Sequence, residues 1–214
     1  MTRPSALALV LALPGLALPL LAAPLGACHP VQRPDGGHGH LEVGDPAPEL
    51  RAVDHRGKEV ALAALRGAPV LVYFYPKDGT PGCTREACAI RDVWTLYTDA
   101  GVVVLGVSSD DDASHRKFAD EYRLPFSLIA DPELVWARAF GAESSFKIIH
   151  RTSYLIDREG KVAKVYVDVD PGVHANEVLA DVAKLPGAAP SVAGAAGSGA
   201  PSAASEAAPG SPPP

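Results

Sequence analysis

Three cysteines stand in the 214-residue chain, and two of them, Cys83 and Cys88, occupy a setting suited to redox chemistry. The segment Tyr73-Phe74-Tyr75-Pro76-Lys77-Asp78-Gly79-Thr80-Pro81-Gly82-Cys83-Thr84-Arg85-Glu86-Ala87-Cys88 leads from an apolar run into a helical pattern. Pro76, Gly79, Pro81 and Gly82 mark a tight turn, which sets Cys83 at the start of the helix. There the unpaired backbone N–H groups and the helix dipole favour an anion, so a thiolate is favoured over a thiol. Thr80, three residues earlier, can bring its hydroxyl beside the same sulfur as a donor or an acceptor. A blander reading makes Cys83 a small core residue in phase with Ala87 and Ile90, since buried cysteines are common. Glu86 either accepts from backbone or arginine groups near the cysteine or merely complements the helix dipole. In an intact helix, residues five apart have Cα atoms roughly 8.7 Å apart, whereas a disulfide needs less than about 7 Å. If Cys83 and Cys88 pair, the first helical turns must unwind.

The elements around this segment follow from hydrophobic periodicity. Val70 to Tyr75 and Val102 to Val107 are continuous apolar runs of strand length, the pattern of strands buried on both faces. The helix between them carries a stripe of Ala87, Ile90, Val93 or Trp94, and Tyr97, which gives a βαβ unit with parallel strands. A helix over 113–122, a strand over 127–130 and a helix opened by Pro132 and running to Phe140 come next. Ser108-Ser109-Asp110 reads as a turn with a helix cap and no catalytic part. Trp94 and Trp136 read as core. Thr152 to Ile156 and Val162 to Val167 form a hairpin around Asp157-Arg158-Glu159-Gly160. A last helix carries Ala175, Val178, Leu179, Val182 and Leu185. The sum, βαβ followed by ββα, predicts an α/β, thioredoxin-like fold with a central mixed sheet flanked by helices. This plan assigns no reaction by itself.

The motif Pro76-x3-Thr80-x2-Cys83 resembles the active-site motif of the peroxiredoxins, and Cys83-Thr84-Arg85-Glu86-Ala87-Cys88 resembles their Q-type, or bacterioferritin comigratory protein, subfamily. The resemblance extends from Val43-Gly44-Asp45-Pro46-Ala47-Pro48 to the last helix. It implies a peroxidatic role for Cys83 and a resolving role for Cys88. It also implies an active-site arginine at Arg151, ahead of Thr152-Ser153-Tyr154-Leu155-Ile156-Asp157, and a shielding role for Pro76. Hydrogen peroxide and organic hydroperoxides are the implied substrates, a thioredoxin-like dithiol the implied reductant, and a monomer the implied state. No cofactor or metal is called for.

The rest of the chain is unlike this block. All Phe, Trp and Tyr residues fall between Tyr73 and Tyr166, and only Arg3, Arg33, Asp35 and Glu206 carry charge outside residues 41–186. Residues 41–186 therefore read as one globular, peroxiredoxin-like domain, and the flanks lack the apolar surface for a second core. Residues 1–27, with Arg3 ahead of an uncharged Leu- and Ala-rich run interrupted by Pro14, Pro19 and Pro24, read as a signal peptide rather than a spanning helix. Leu25-Gly26-Ala27-Cys28 resembles a bacterial lipobox, which makes Cys28 a candidate for lipidation and predicts an exported protein, either membrane-attached or free outside the cytoplasm. Residues 28–40 read as a flexible linker, in which His38 and His40 lack partners to close a metal site. Residues 187–214, almost wholly Ala, Gly, Pro and Ser, read as a disordered tail.

The net charge of −6 and the absence of clustered cations argue against nucleic acid. Three cysteines are too few for a disulfide scaffold. The rival function is a membrane-anchored copper-handling or disulfide-exchange protein on the same fold, using Cys83, Cys88 and a histidine such as His150 or His174. The spacing counts against both forms, because the cysteines are separated by four residues.

Overall fold

The computed structural model describes residues 32–143 and 148–187. Cys28, the leader and nearly all of the Ala/Pro/Gly/Ser tail lie outside them. A short hairpin, β1 (Arg51–Val53) with β2 (Glu59–Ala61), precedes the main sheet and has no counterpart in the sequence reading. The main sheet comprises β3 (Val70–Phe74), β4 (Val103–Ser108), β5 (Ser127–Ala130), β6 (Thr152–Ile156) and β7 (Val162–Val167) in the order β5-β4-β3-β6-β7. The β3·β4 and β4·β5 pairs are parallel, while β3·β6 and β6·β7 are antiparallel. This is the mixed α/β sheet expected from the periodicity.

Strand β3 is central and buried along its whole length. Its side chains alternate between two cores, as the period of 2 requires. Leu71, Tyr73 and Tyr75 join Cys83, Ala87, Ile90, Tyr97 and Val178, whereas Val70, Val72 and Phe74 join Trp136, Phe140, Tyr154 and Ile156. The first core lies under α1 (Pro81–Asp92), α2 (Trp94–Asp99) and α5 (His174–Val182), and the second under α4 (Val135–Phe140). The Tyr97 hydroxyl donates to the Ala175 carbonyl at 2.9 Å and ties α2 to α5. Trp136 is buried, while Trp94 is half-buried against the first core.

Local chemistry moves several element boundaries. The single helix expected from Cys83 to Tyr97 is broken at Val93, which leaves the helical region at φ −109° and ψ 21°. Pro132 does not open α4. The Asp131 carboxylate accepts from the N–H groups of Val135 (2.7 Å) and Ala137 (2.8 Å), so the helix starts three residues later. The cap of α3 (Asp112–Tyr122) is Asp111, whose carboxylate accepts from Ser114 N–H at 2.8 Å, and not the Ser108-Ser109-Asp110 turn. The stretch read as a linker packs onto the fold from Gln32 onward. Arg33 donates to the carbonyls of Gly39 and His40, and His40 Nδ1 lies 3.0 Å from the Tyr154 hydroxyl.

Gly106, in the middle of β4, admits the Tyr73 ring to the first core. A Cβ there would lie 2.7 Å from the Tyr73 hydroxyl and 2.8 Å from Leu128 Cδ2. Both neighbours are rigidly buried, so Gly106→Ala is expected to destabilise the fold by about 1–3 kcal/mol. Urea denaturation monitored by circular dichroism checks this, and an unchanged midpoint would contradict the packing described.

Candidate active site

Strand β3 ends under the site, and the turn from Tyr75 to Thr80 carries the chain into α1. Thr80 is the N-cap residue and Cys83 the third residue of the helix. The Thr80 side chain makes no capping hydrogen bond, so the N–H groups of Gly82 and Cys83 lack the side-chain acceptor that a helix N-cap ordinarily supplies. The Cys83 side chain belongs to the core and is only 2% exposed, yet its sulfur is not surrounded by apolar atoms alone. Arg151, directly ahead of β6, places Nη2 3.2 Å from Cys83 Sγ. Cys83 is thus at once a core residue and a sulfur with a cation beside it.

The other half of the guanidinium pairs with Glu86. Its Nη1 donates to Glu86 Oε2, and the Glu86 side chain is fully buried, so the open choice at this residue is decided in favour of the cation. Burial pushes the Glu86 carboxyl up to about 7 against the pull of Arg151. Burial would by itself lower the Arg151 guanidinium, but the charges of Glu86 and Cys83 outweigh it and hold Arg151 above its ordinary value. The planar fork of this permanent cation fixes both partners in one geometry. Gly82 makes this approach possible. A Cβ at that position would lie 3.1 Å from Arg151 Nη2.

The remaining predicted residues sit as follows. Thr80 is half-buried, and its hydroxyl donates to the Lys77 carbonyl at 3.0 Å rather than to the sulfur. Pro76 is exposed at the end of β3. Cys88 is half-buried within the same unbroken helix as Cys83, and both thiols are free. The Arg91 guanidinium, three residues on from Cys88, donates to the Tyr122 carbonyl at 2.7 Å. His174 is buried at the start of α5, with Nε2 2.9 Å from Ser153 Oγ, and His150 is exposed on the loop ahead of Arg151. No group of three or more His, Cys, Asp or Glu side chains able to hold a metal occurs among the described residues.

Sequence reasoning missed a buried polar network beneath the turn. The Asp78 carboxylate accepts from the Tyr75 hydroxyl, the Ser114 hydroxyl and His115 Nδ1, each at 2.8 Å. The Asp78 N–H donates to Asp110 Oδ2 at 2.8 Å. These residues come from the turn after β3, from α3 and from the loop between β4 and α3. The one local hint is an acidic residue inside a Pro-Gly turn, which ordinarily reads as turn chemistry.

Taken together, a buried sulfur at a helix N-terminus, held by a cation and set on a thioredoxin-like sheet, defines a cysteine-based oxidoreductase. Residues 43–165 match the model of the AhpC/TSA family. A Coxiella burnetii protein that carries the peroxiredoxin bcp name is 41% identical over 146 residues, which cover 65% of this chain and 97% of that protein. The chloroplastic peroxiredoxin Q of Triticum aestivum is 39% identical, with 69% of each chain covered. Among solved structures, peroxiredoxin Q of Xanthomonas campestris superposes with a TM-score of 0.62 at 32% identity, covering 67% of this chain and 96% of that one. The chain belongs to the AhpC/TSA family and, within it, to the peroxiredoxin Q or bacterioferritin comigratory protein group. It is a thiol-dependent peroxidase, an enzyme that takes a peroxide as oxidant and a thiol as reductant. The copper-handling and disulfide-exchange alternatives find no support in these relatives.

Two measurements probe this arrangement. Arg151→Ala is expected to slow oxidation of Cys83 by hydrogen peroxide by about 100-fold or more, the loss typical of a preorganised donor facing developing charge. Stopped-flow kinetics would register it, and an unaltered rate would remove Arg151 from the reaction. The second concerns pH. Burial, with Arg151 nearby, holds His174 at about 4, below its ordinary 6.5. The unfolded chain therefore binds this proton first, so the contribution of His174 to stability is complete above pH 6.5 and is lost as pH falls toward 4. Glu86 titrates in the opposite sense, its contribution being complete below pH 4.5 and lost as pH rises through 7. His174→Gln keeps a hydrogen-bonding side chain without the titration. The advantage of the wild type over this variant should shrink between about pH 7 and about pH 4.5, by at most about 1.4 kcal/mol per pH unit, in denaturant titrations at each pH. A constant difference would show that the folded protein protonates His174 as readily as the unfolded chain.

Proposed function

We propose that Cys83 is the peroxidatic residue and that Cys88 resolves it. The observation that carries this reading is the 3.2 Å contact of Arg151 Nη2 with a sulfur at the start of α1. The thiolate attacks the nearer oxygen of the peroxide. A sulfur–oxygen bond forms, the oxygen–oxygen bond breaks, and the departing alkoxide or hydroxide takes up a proton. Arg151 stabilises the charge developing on the leaving oxygen, helped by the first-turn N–H groups of α1. Thr80 orients the peroxide, and Pro76 limits access of water to the sulfur.

The product is a sulfenic acid on Cys83. The Cys88 thiol condenses with it, forming a disulfide and releasing water. An external dithiol of thioredoxin type then reduces the disulfide by exchange and is itself oxidised. Because both cysteines lie in one continuous helix, roughly 8.7 Å apart by ideal geometry, condensation requires the first turns of α1 to unwind. Hydrogen peroxide and organic hydroperoxides are the proposed substrates. Alkyl peroxide reduction activity is ascribed to the Xanthomonas campestris bacterioferritin comigratory protein, which is 30% identical with a TM-score of 0.62 over 67% of this chain and 96% of that one.

The organisation proposed around this domain is a signal peptide over 1–27, lipidation or simple export at Cys28, a catalytic domain over 41–186 onto which the segment from Gln32 to His40 packs, and a solvated tail over 187–214. The enzyme would act outside the cytoplasm as a monomer, attached to a membrane only through a lipid on Cys28. Its reductant would then have to be maintained on that side of the membrane. Mass spectrometry of the mature N-terminus tests the export reading, because an unprocessed Met1 would overturn it.

For the catalytic reading, Cys83→Ser should abolish peroxide turnover. Cys88→Ser should permit a single oxidation of Cys83 and then stall in the presence of thioredoxin. Hydrogen exchange over residues 83–92 should rise on oxidation of the wild type. Turnover that survives in Cys83→Ser, or equal protection in the two redox states, would contradict the respective assignment.

A further inference from the structure

The peptide between Lys77 and Asp78 is held at both of its polar atoms. Its N–H donates to Asp110 Oδ2 at 2.8 Å, and its carbonyl accepts the Thr80 hydroxyl at 3.0 Å. A trans peptide is planar, with N–H and C=O pointing in opposite directions, and the described residues contain no cis bond. Fixing the N–H therefore aims the carbonyl, and the carbonyl in turn claims the only hydroxyl proton of Thr80. What remains on that oxygen is acceptor capacity. Asp110 is itself braced, since the same Oδ2 accepts from Ser108 Oγ at 2.7 Å and its own N–H donates back to Ser108 Oγ at 3.1 Å. On the other side, the Asp78 carboxylate is anchored by Tyr75, Ser114 and His115, which stops the peptide from turning over.

We propose that Asp110 is a positioning residue for peroxide reduction. Through the 77–78 peptide plane it directs the Thr80 hydroxyl proton away from the site, so that the Thr80 oxygen accepts the O–H of a hydroperoxide poised over Cys83. This deepens the reading above and rests on Cys83 being the attacking sulfur and Thr80 a peroxide contact. Asp110 acts on the orientation of the oxidant and leaves the nucleophilicity of the sulfur alone. Its loss must therefore separate two reactions of the same cysteine.

The test uses the reduced full chain and compares oxidation by hydrogen peroxide with alkylation of Cys83 by iodoacetamide, a reagent with no O–H for Thr80 to accept. Asp110→Ala should slow peroxide oxidation about tenfold and leave alkylation within about twofold. Asp110→Asn retains an acceptor oxygen and should restore the peroxide rate to within about threefold of wild type. Thr80→Val should cost less in the Asp110→Ala background than alone, because both changes remove one arrangement. If Asp110→Ala does not fold, Ser108→Ala loosens the same brace and should give the same split at smaller size. An unchanged peroxide rate, an equal fall in both reactions, or full additivity with Thr80→Val would overturn the proposal while Cys83→Ser remains inactive. Peroxide turnover by Cys83→Ser would instead overturn the underlying reading, and the proposal with it.

Discussion

The structure turns on one guanidinium, that of Arg151, shared between the Cys83 sulfur and the buried Glu86 carboxylate. A fully buried carboxylate is tolerated only with a partner, and a cation taken partly out of water needs anions around it. Each of the three groups is thus a condition for the other two. The arrangement gives the sulfur a fixed positive neighbour before any substrate arrives, which is the form of electrostatic preorganisation that lowers a barrier without reorganisation at the moment of reaction. It also explains a glycine at position 82, where a Cβ would crowd the guanidinium.

Cys83 must meet two demands that pull in different directions. As part of the first core it packs with Tyr73, Tyr75, Ala87 and Ile90, and this helps fix α1 against the sheet. As the proposed attacking sulfur it must later leave that packing, because its partner Cys88 lies further along the same helix. The helix start therefore has to be ordered enough to align the thiolate and weak enough to unwind. A Pro-Gly opening without a side-chain cap suits that balance, since it supplies defined geometry while forgoing the roughly 1 kcal/mol of an N-cap hydrogen bond. At the other end of this helix, Arg91 links the Cys88 region to the last residue of α3, so the part of α1 beyond Cys88 has an anchor that the first turn lacks.

Beneath the helix start, the turn from Tyr75 to Thr80 is held by a dense set of polar contacts. Asp78 collects Tyr75, Ser114 and His115 on its side chain and Asp110 on its backbone, so a loop that would be mobile by composition is tied to α3 and to the end of β4. Such a network is worthwhile only if nearly all of its members are satisfied. Here it transmits the position of the sheet to Thr80 through one peptide plane.

What the sequence determined by itself is local. Apolar runs marked β3, β4, β6 and β7, the Pro-Gly turn marked the start of α1, and the five-residue separation of Cys83 and Cys88 marked two thiols that an intact helix holds too far apart for a disulfide. The boundaries that failed did so where local geometry departs from the pattern, as where the Asp131 carboxylate takes the N–H groups of Val135 and Ala137 beyond Pro132 and where the backbone leaves the helical region at Val93. Arg151 was reachable only through resemblance to a family motif. The meeting of Arg151 with Glu86 and Cys83 across 65 and 68 residues, and of Asp78 with Asp110 and His115 across 32 and 37, was decided by the tertiary structure alone. Spacing along a chain carries no record of such contacts, because they depend on the register of β6 against β3 and on the seat of α3 against β5, which only the packing of the two cores sets.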